Sequence, residues 1–198
     1  MLESKKPLIE LEYRACISEG DFLRLRDFFN DHANNLGDDN KDTFFFIWPD
    51  KVVKVVCNDK TQKAKIVLKP GRVGKCSHFE EYELALQPED VDRAVDFIKM
   101  FGPEDVQYTY QFRTNYVYKG VEIALKYTES WGFHIELEIM MSDISQKEEA
   151  EKKIREVADE LGLIIMTDEE LKEYTDSIDG GHMFGIYKKD NFPYQNFL

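Results

Sequence analysis

The sequence predicts an α+β fold: an eight-stranded antiparallel β-barrel, a tunnel with a polar interior, clad by three or four α-helices. Three observations carry this expectation. Apolar and polar residues alternate at the strand period of two in five segments, and two β-rich runs and one hairpin partner bring the strands to about eight. Those segments are mostly joined by short connections, which favour antiparallel neighbours. Apolar residues at helical spacing are confined to a few stretches between and after them.

The elements follow in order. A first strand is expected over Leu8–Ile17, then a helix whose stripe is Phe22, Leu25, Phe28 and Phe29, ending near Gly37. Thr43–Trp48 and Lys51–Cys57 are β-rich runs divided by Pro49-Asp50, a turn pair. Lys63–Pro70 and Phe79–Leu86 alternate cleanly. Val91, Ala94, Val95, Ile98 and Met100 mark a second helix, with Pro88 close to its favoured first turn. Val106–Tyr118 and Val121–Tyr127 flank Lys119-Gly120 as a hairpin, and Phe133–Met141 is the eighth strand. A third helix carries Ala150, Ile154, Val157, Ala158 and Leu161; its capping box is expected at Ser145 and Glu148, its stop at Gly162. Thr167 and Glu170 repeat the box for a short fourth helix. No Pro/Gly/Ser-rich linker divides the chain, so one domain over residues 1–198 is expected.

Composition narrows the class. The 198 residues carry 26 Lys+Arg against 39 Asp+Glu, a formal charge of −13. An aromatic share of 13% excludes a disordered acidic chain, which lacks such residues. The acidic balance argues against nucleic acid and against anionic membranes as partners. No apolar run approaches the roughly 18 residues of a membrane span, and the first residues lack the apolar stretch of a secretion signal. Cys16, Cys57 and Cys76 are odd in number and too far apart for a structural zinc site. They read as buried free thiols of a cytoplasmic protein, monomer or homodimer.

Strand parity then points to chemistry. Glu10, Glu12 and Arg14 share one face of the first strand, opposite Ile9, Leu11 and Tyr13. Glu81 and Glu83 oppose Tyr82, Leu84 and Leu86; His134, Glu136 and Glu138 oppose Ile135, Leu137 and Ile139. Lys65 and Lys69 share a face, as do Gln111 and Arg113. Glu is a poor strand former and like charges on one face repel, yet Glu-x-Glu recurs three times inside strands. Two arrangements accommodate this. The charged faces meet bulk water, or the sheet closes and turns them into an enclosed hollow with cations among them. In the second case the carboxylates suit hard divalent ions and the Lys and Arg suit phosphate oxygens, which together describe a polyphosphate site.

The order Glu10-Leu11-Glu12-Tyr13-Arg14, Ile66-Val67-Leu68-Lys69, Glu81-Tyr82-Glu83, Gln111-Phe112-Arg113 and Trp131-Gly132-Phe133-His134-Ile135-Glu136-Leu137-Glu138 resembles the CYTH domain of the triphosphate tunnel metalloenzymes, over roughly residues 7–165. The resemblance implies an eight-stranded tunnel that binds a triphosphate-bearing small molecule with Mg2+ or Mn2+. It implies Glu10, Glu12, Glu81, Glu83, Glu136 and Glu138 at the acidic, metal-side positions, with Glu136 and Glu138 catalytic. Arg14, Lys69 and Arg113 match bases that hold phosphate; Lys54, Lys65 and Lys126 join them as substrate-binding candidates. The implied activity is a divalent-metal-dependent phosphohydrolase acting on inorganic, nucleoside or thiamine triphosphate. Class IV adenylyl cyclase and a non-catalytic polyphosphate- or nucleotide-binding module are the alternatives. Three departures stand out. Lys54-Val55-Val56 replaces an Arg-x-Arg, His78 stands where Arg is frequent, and Lys126 follows Leu125 where the family carries Asp. His134 is expected as a hydrogen-bonded barrel histidine, and Trp48 and Trp131 as packing residues. The segment 179–182 reads as a loop, and the aromatic tail 192–197 as a cover for a barrel mouth or a neighbouring subunit.

Overall fold

A computed structural model of the chain describes residues 9–70 and 78–179. Ten strands and four helices occur among them: β1 (Ile9–Cys16), α1 (Glu19–His32), β2 (Asn34–Asp38), β3 (Lys41–Ile47), β4 (Lys51–Asn58), β5 (Ala64–Pro70), β6 (His78–Glu80), β7 (Tyr82–Leu86), α2 (Val91–Lys99), β8 (Asp105–Tyr118), β9 (Val121–Thr128), β10 (Gly132–Met141), α3 (Lys147–Leu161) and α4 (Asp168–Asp179). Every pairing is antiparallel, in the order β6-β1-β10-β9-β8-β3-β4-β5-β7.

Ten strands reduce to the eight of the tunnel in a simple way. β6 pairs with β1 and β7 with β5, but only Glu81 separates them. They are two halves of one bent strand, so the curled sheet returns upon itself. β2 and β3 likewise lie end to end along one edge of β8, Asn34 opposite Val117 and Ile47 opposite Asp105. β2 was not expected: its sequence, Asn-Asn-Leu-Gly-Asp, has neither alternation nor β-branched residues. It forms because β8, 14 residues long, offers an edge beyond the end of β3. α1 therefore stops at His32 and not near Gly37.

Turn chemistry sets the hairpins. Lys119 and Gly120, with φ of 50° and 74°, form the doubly left-handed two-residue turn that matches strand twist. Trp48 N–H donates to the Lys51 carbonyl at 3.0 Å across Pro49-Asp50. α3 is entered through a single 3-10 turn whose capping box is Asp143 with Gln146, replacing the expected Ser145 and Glu148. The box of Thr167 with Glu170 and the left-handed stop at Gly162 are as expected.

The outer face of the sheet carries the apolar packing. Leu11, Ile135 and Leu137 are fully buried beneath Phe22, Leu25 and Phe29 of α1 and Ile154, Val157 and Ala158 of α3. A second cluster sets Phe46 and Val55 against Ala94, Val95 and Ile98 of α2. This outward burial leaves the alternate residues of the same strands no direction but inward. Of the thiols, Cys16 is exposed and Cys57 half-buried, against the expectation of burial. Cys16 closes β1, where the strand runs out from under its cover. Cys76 and the tail 192–197 lie outside the described residues, as do residues 180–182 of the expected loop; Asp179 ends α4. No helix among the described residues is long and apolar enough to cross a membrane.

Candidate functional site

All twelve acidic and basic residues singled out above line one cavity of about 620 Å³ enclosed by the sheet. Register brings them together: Glu12 is opposite Glu138 and Arg14 opposite Glu136 on β1 and β10, while Arg113 is opposite Lys126 on β8 and β9. The enclosed arrangement is the one present.

The carboxylates divide by partner. Glu136 accepts hydrogen bonds from Arg14 Nε at 3.0 Å, Lys126 Nζ at 2.9 Å and Arg113 at 3.4 Å. Burial works against its charge, but Lys126, Arg14 and Arg113 together hold its carboxyl well below the usual range. Lys69 donates to Glu10 at 2.9 Å and also pairs with Glu81. Glu83, on the exposed β7, pairs with Lys65. Glu10, Glu12 and Glu138 are all buried, and each offers an oxygen within 4.8 Å of the others. Burial first, then Glu12, Glu136 and Glu10, push the Glu138 carboxyl up to about 8 in spite of Arg113. Burial likewise raises Glu12, whose Oε1 accepts no hydrogen bond although Arg14 lies within ion-pair range.

This trio fits a hard divalent ion. Its donors are all carboxylate oxygens, close enough together for one ion to reach all three. All three of its members also pair with bases, Glu10 with Lys69, Glu12 with Arg14 and Glu138 with Arg113, as do Glu136, Glu81 and Glu83 around them; the mutual closeness of its oxygens is what marks the trio.

Among the bases, Arg113 is the most constrained. Its Nε donates to Asn115 at 2.6 Å, and its terminal nitrogens reach Glu136 and Glu138 at 3.4 and 3.3 Å. Lys54 lies over the Phe45 ring at 5.5 Å, and burial followed by the nearby Lys69 lowers its ammonium to about 7. Lys126 is buried and pairs with Glu136 at 2.9 Å, so the change from Asp adds a cation to the tunnel.

Sequence reasoning missed Lys41. It lines the cavity, donates to Asp39 at 2.7 Å, and is lowered to about 8, chiefly by burial and then by Arg113. Its parity with Thr43 and Phe45 was the available signal, hidden because the strand was begun two residues late. Asp39, in the gap between β2 and β3, also accepts from Asn58 at 2.7 Å. His134 is 2% exposed with Nδ1 3.0 Å from the Gly132 carbonyl, a barrel histidine as expected. Trp131 packs between Tyr174, His134 and Arg14, and Trp48 against the α2 cluster. The side chain of His78 lies outside the described residues.

With this geometry in hand, solved structures supply the comparison. A conserved hypothetical protein from Pyrococcus furiosus superposes with a TM-score of 0.65 at 26% identity, over 78% of this chain and 91% of its own. A Vibrio parahaemolyticus protein named "putative adenylate cyclase" gives 0.65 at 13% identity, over 86% and 99%. A Hippeastrum protein, named "putative adenylyl cyclase" and described as having a dominant triphosphatase activity, gives 0.55 at 17%, over 80% and 89%. The chain has the CYTH, or triphosphate tunnel, fold. No protein-family model matches the sequence, and no curated protein matches it. At these identities the CYTH likeness is one of architecture, and the chemistry has to be argued from this tunnel's own residues.

Proposed function

We propose that this protein is a divalent-metal-dependent phosphohydrolase that takes a triphosphate into its tunnel and releases the terminal phosphate. The observation that carries the reading is the convergence of the Glu10–Glu12–Glu138 trio with Arg14, Lys54, Lys69, Arg113 and Lys126 in one enclosed cavity. Phosphoryl transfer asks a protein mainly for positioning and charge neutralisation.

The chain's own residues supply both. Arg14, Lys69, Arg113 and Lys126 are each steered by a carboxylate before any substrate arrives, so little reorganisation remains for the reaction. Glu136, holding three of these four, is a positioning residue in this reading. Lys54 faces an aromatic ring and no carboxylate within ion-pair range among the described residues, so a phosphate oxygen would be its counter-charge. Glu10, Glu12 and Glu138 would hold Mg2+ or Mn2+, which would supply Lewis-acid charge neutralisation and lower the pKa of a water for attack. Glu10, Glu12, Lys69, Lys126, Glu136 and Glu138 are buried, which strengthens the electrostatic contacts among them.

A second reading is an adenylyl cyclase. The ribose 3′ hydroxyl would attack the α-phosphorus and pyrophosphate would leave; the cyclase names among the fold neighbours favour it. A third is a binding module without turnover, favoured by Val52 and Val56 lining the tunnel in the strand where the resemblance leads one to expect Arg-x-Arg.

One assay series separates the three. Purified protein is offered inorganic triphosphate, ATP and thiamine triphosphate with Mg2+ or Mn2+, and orthophosphate, pyrophosphate and cyclic AMP are scored. Orthophosphate is the expected product. Pyrophosphate with cyclic AMP would establish the cyclase, and tight binding without turnover the module.

A further inference from the structure

Asp39, a carboxylate outside the three Glu-x-Glu pairs, joins two of the cavity's cations. Its Oδ2 accepts from Lys41 Nζ at 2.7 Å and lies 3.9 Å from Arg113 Nε. Asn58 donates to Oδ1 at 2.7 Å, and Asn115 to Oδ2 at 3.4 Å. Asn115 in turn accepts from Arg113 Nε at 2.6 Å. The backbone fixes the same contact. Asp39 N–H donates to the Arg113 carbonyl at 2.8 Å, and Arg113 N–H to Asn40 Oδ1 at 2.9 Å. Lys41, on β3, is the register partner of Gln111, the inward neighbour of Arg113 on β8. Asp39, Lys41 and Arg113 all line the cavity.

This network does more than tie a loop to a strand. Two cations drawn to one oxygen repel each other, and burial adds to the cost of charging Lys41. Asp39 offsets both and keeps the pair together. An ammonium has three donors. Asp39 takes one, and among the described residues no second acceptor engages the other two. The Lys41 side chain is only 15% exposed, so bulk water reaches those donors poorly. Arg113 has its Nε committed to Asn115, while its terminal nitrogens reach Glu138 and Glu136 only at 3.3 and 3.4 Å, at the long end of hydrogen-bond range. A guanidinium held by its inner edge, beside an ammonium with donors to spare, suits the oxygens of one phosphate group: the first as a fork, the second as a point charge.

We propose that Asp39 is a positioning residue that holds Lys41 and Arg113 as one phosphate-binding unit, and that Lys41 is thereby a further substrate-binding residue of this tunnel. The proposal rests on the triphosphate reading above and adds to it two residues that no motif in the sequence marks. Val56 supplies a control. It is the inward neighbour of Asn58, the register partner of Lys41 on β4, so a long cationic side chain at position 56 could reach the same end of the cavity.

The test measures kcat and KM for inorganic triphosphate with Mn2+, and the melting temperature, in wild type and four kinds of variant. Lys41→Met should lower kcat/KM about tenfold or more, the worth of one charge-assisted hydrogen bond, while Lys41→Arg should keep most of it. Asp39→Asn preserves shape and removes charge, and should also cost about tenfold. In the Lys41→Met background the same substitution should cost clearly less, since half of what Asp39 positions is already gone. A merely structural Asp39 would lower the melting temperature and cost the same in both backgrounds. Adding Val56→Arg to Lys41→Met should recover most of the lost kcat/KM; should that double variant fold poorly, the retention in Lys41→Arg carries the rescue. Unchanged kcat/KM in Lys41→Met, an Asp39→Asn effect equal in both backgrounds, or a folded double variant without recovery would overturn the proposal alone. Failure of the wild type to bind or cleave inorganic triphosphate, ATP and thiamine triphosphate would overturn the tunnel reading itself, and the proposal with it.

Discussion

Glu138 concentrates the electrostatics of the site in one carboxyl. Burial and the carboxylates around it push its group up to about 8 against the pull of Arg113. Glu138→Gln keeps the shape of the side chain and removes its charge. The melting temperature should stay within a few degrees of wild type, while Mn2+-dependent turnover falls by about 10²-fold or more; unchanged turnover would remove Glu138 from the site. His134 makes a second prediction. Burial, with Lys126 adding to it, lowers its ring to about 3 from 6.5. Between those values the unfolded chain binds the proton and the folded one does not. Stability is thus fully present above pH 6.5 and is lost as pH falls through the window, by roughly 2–3 kcal/mol at pH 4.5. Urea unfolding of wild type and His134→Phe at pH 7 and 4.5 checks this. The variant should lose less on acidification, and an equal loss in both would refute the assignment. The acidic pairs and Arg14, Lys69 and Arg113 were legible in the sequence because parity alone fixes their face. Lys41 and the partition of the carboxylates were not. Whether Glu136 serves a metal or three bases depends on which strands lie beside β10, and pairing order is absent from any single strand's pattern.

At the scale of elements, local signals worked where the chemistry was local. The Lys119-Gly120 turn, the Thr167 box and the Gly162 stop were all readable, since each needs only a few adjacent residues. The Asp143–Gln146 cap was misread two residues late because Ser145 and Glu148 present the same signature. β2 was unreadable, as its strand character is borrowed from β8. Gly162 has a φ of 70°, and nothing lies within 4 Å of where its Cβ would stand. Gly162→Ala should thus meet only the backbone penalty of the left-handed region. That is about 1 kcal/mol, or a melting temperature lower by roughly 2–4 °C, with turnover unaffected. A loss of activity at constant stability would mean that α3 does more than cover the sheet.

For the whole molecule, the central relation is between closure and charge. The bend at Glu81 lets one strand serve both edges of the sheet, and closure places buried carboxylates and bases in a space where neither could remain alone. A ligand that completes their charge balance should stabilise the fold by mass action. Mn2+ with inorganic triphosphate, each at about 100 times its dissociation constant, should add roughly 3 kcal/mol or more, seen as a higher melting temperature. The same addition to Glu138→Gln should give a clearly smaller rise. The general architecture could be foreseen from alternation, but the order in which the strands pair could not, since no single strand's pattern carries it. The most direct measurement is anomalous diffraction from crystals grown with Mn2+ and a non-hydrolysable triphosphate. The account predicts a manganese peak bounded by Glu10, Glu12 and Glu138, with phosphate oxygens on Arg14, Lys69 and Arg113; manganese bound elsewhere, with the trio empty, would contradict it.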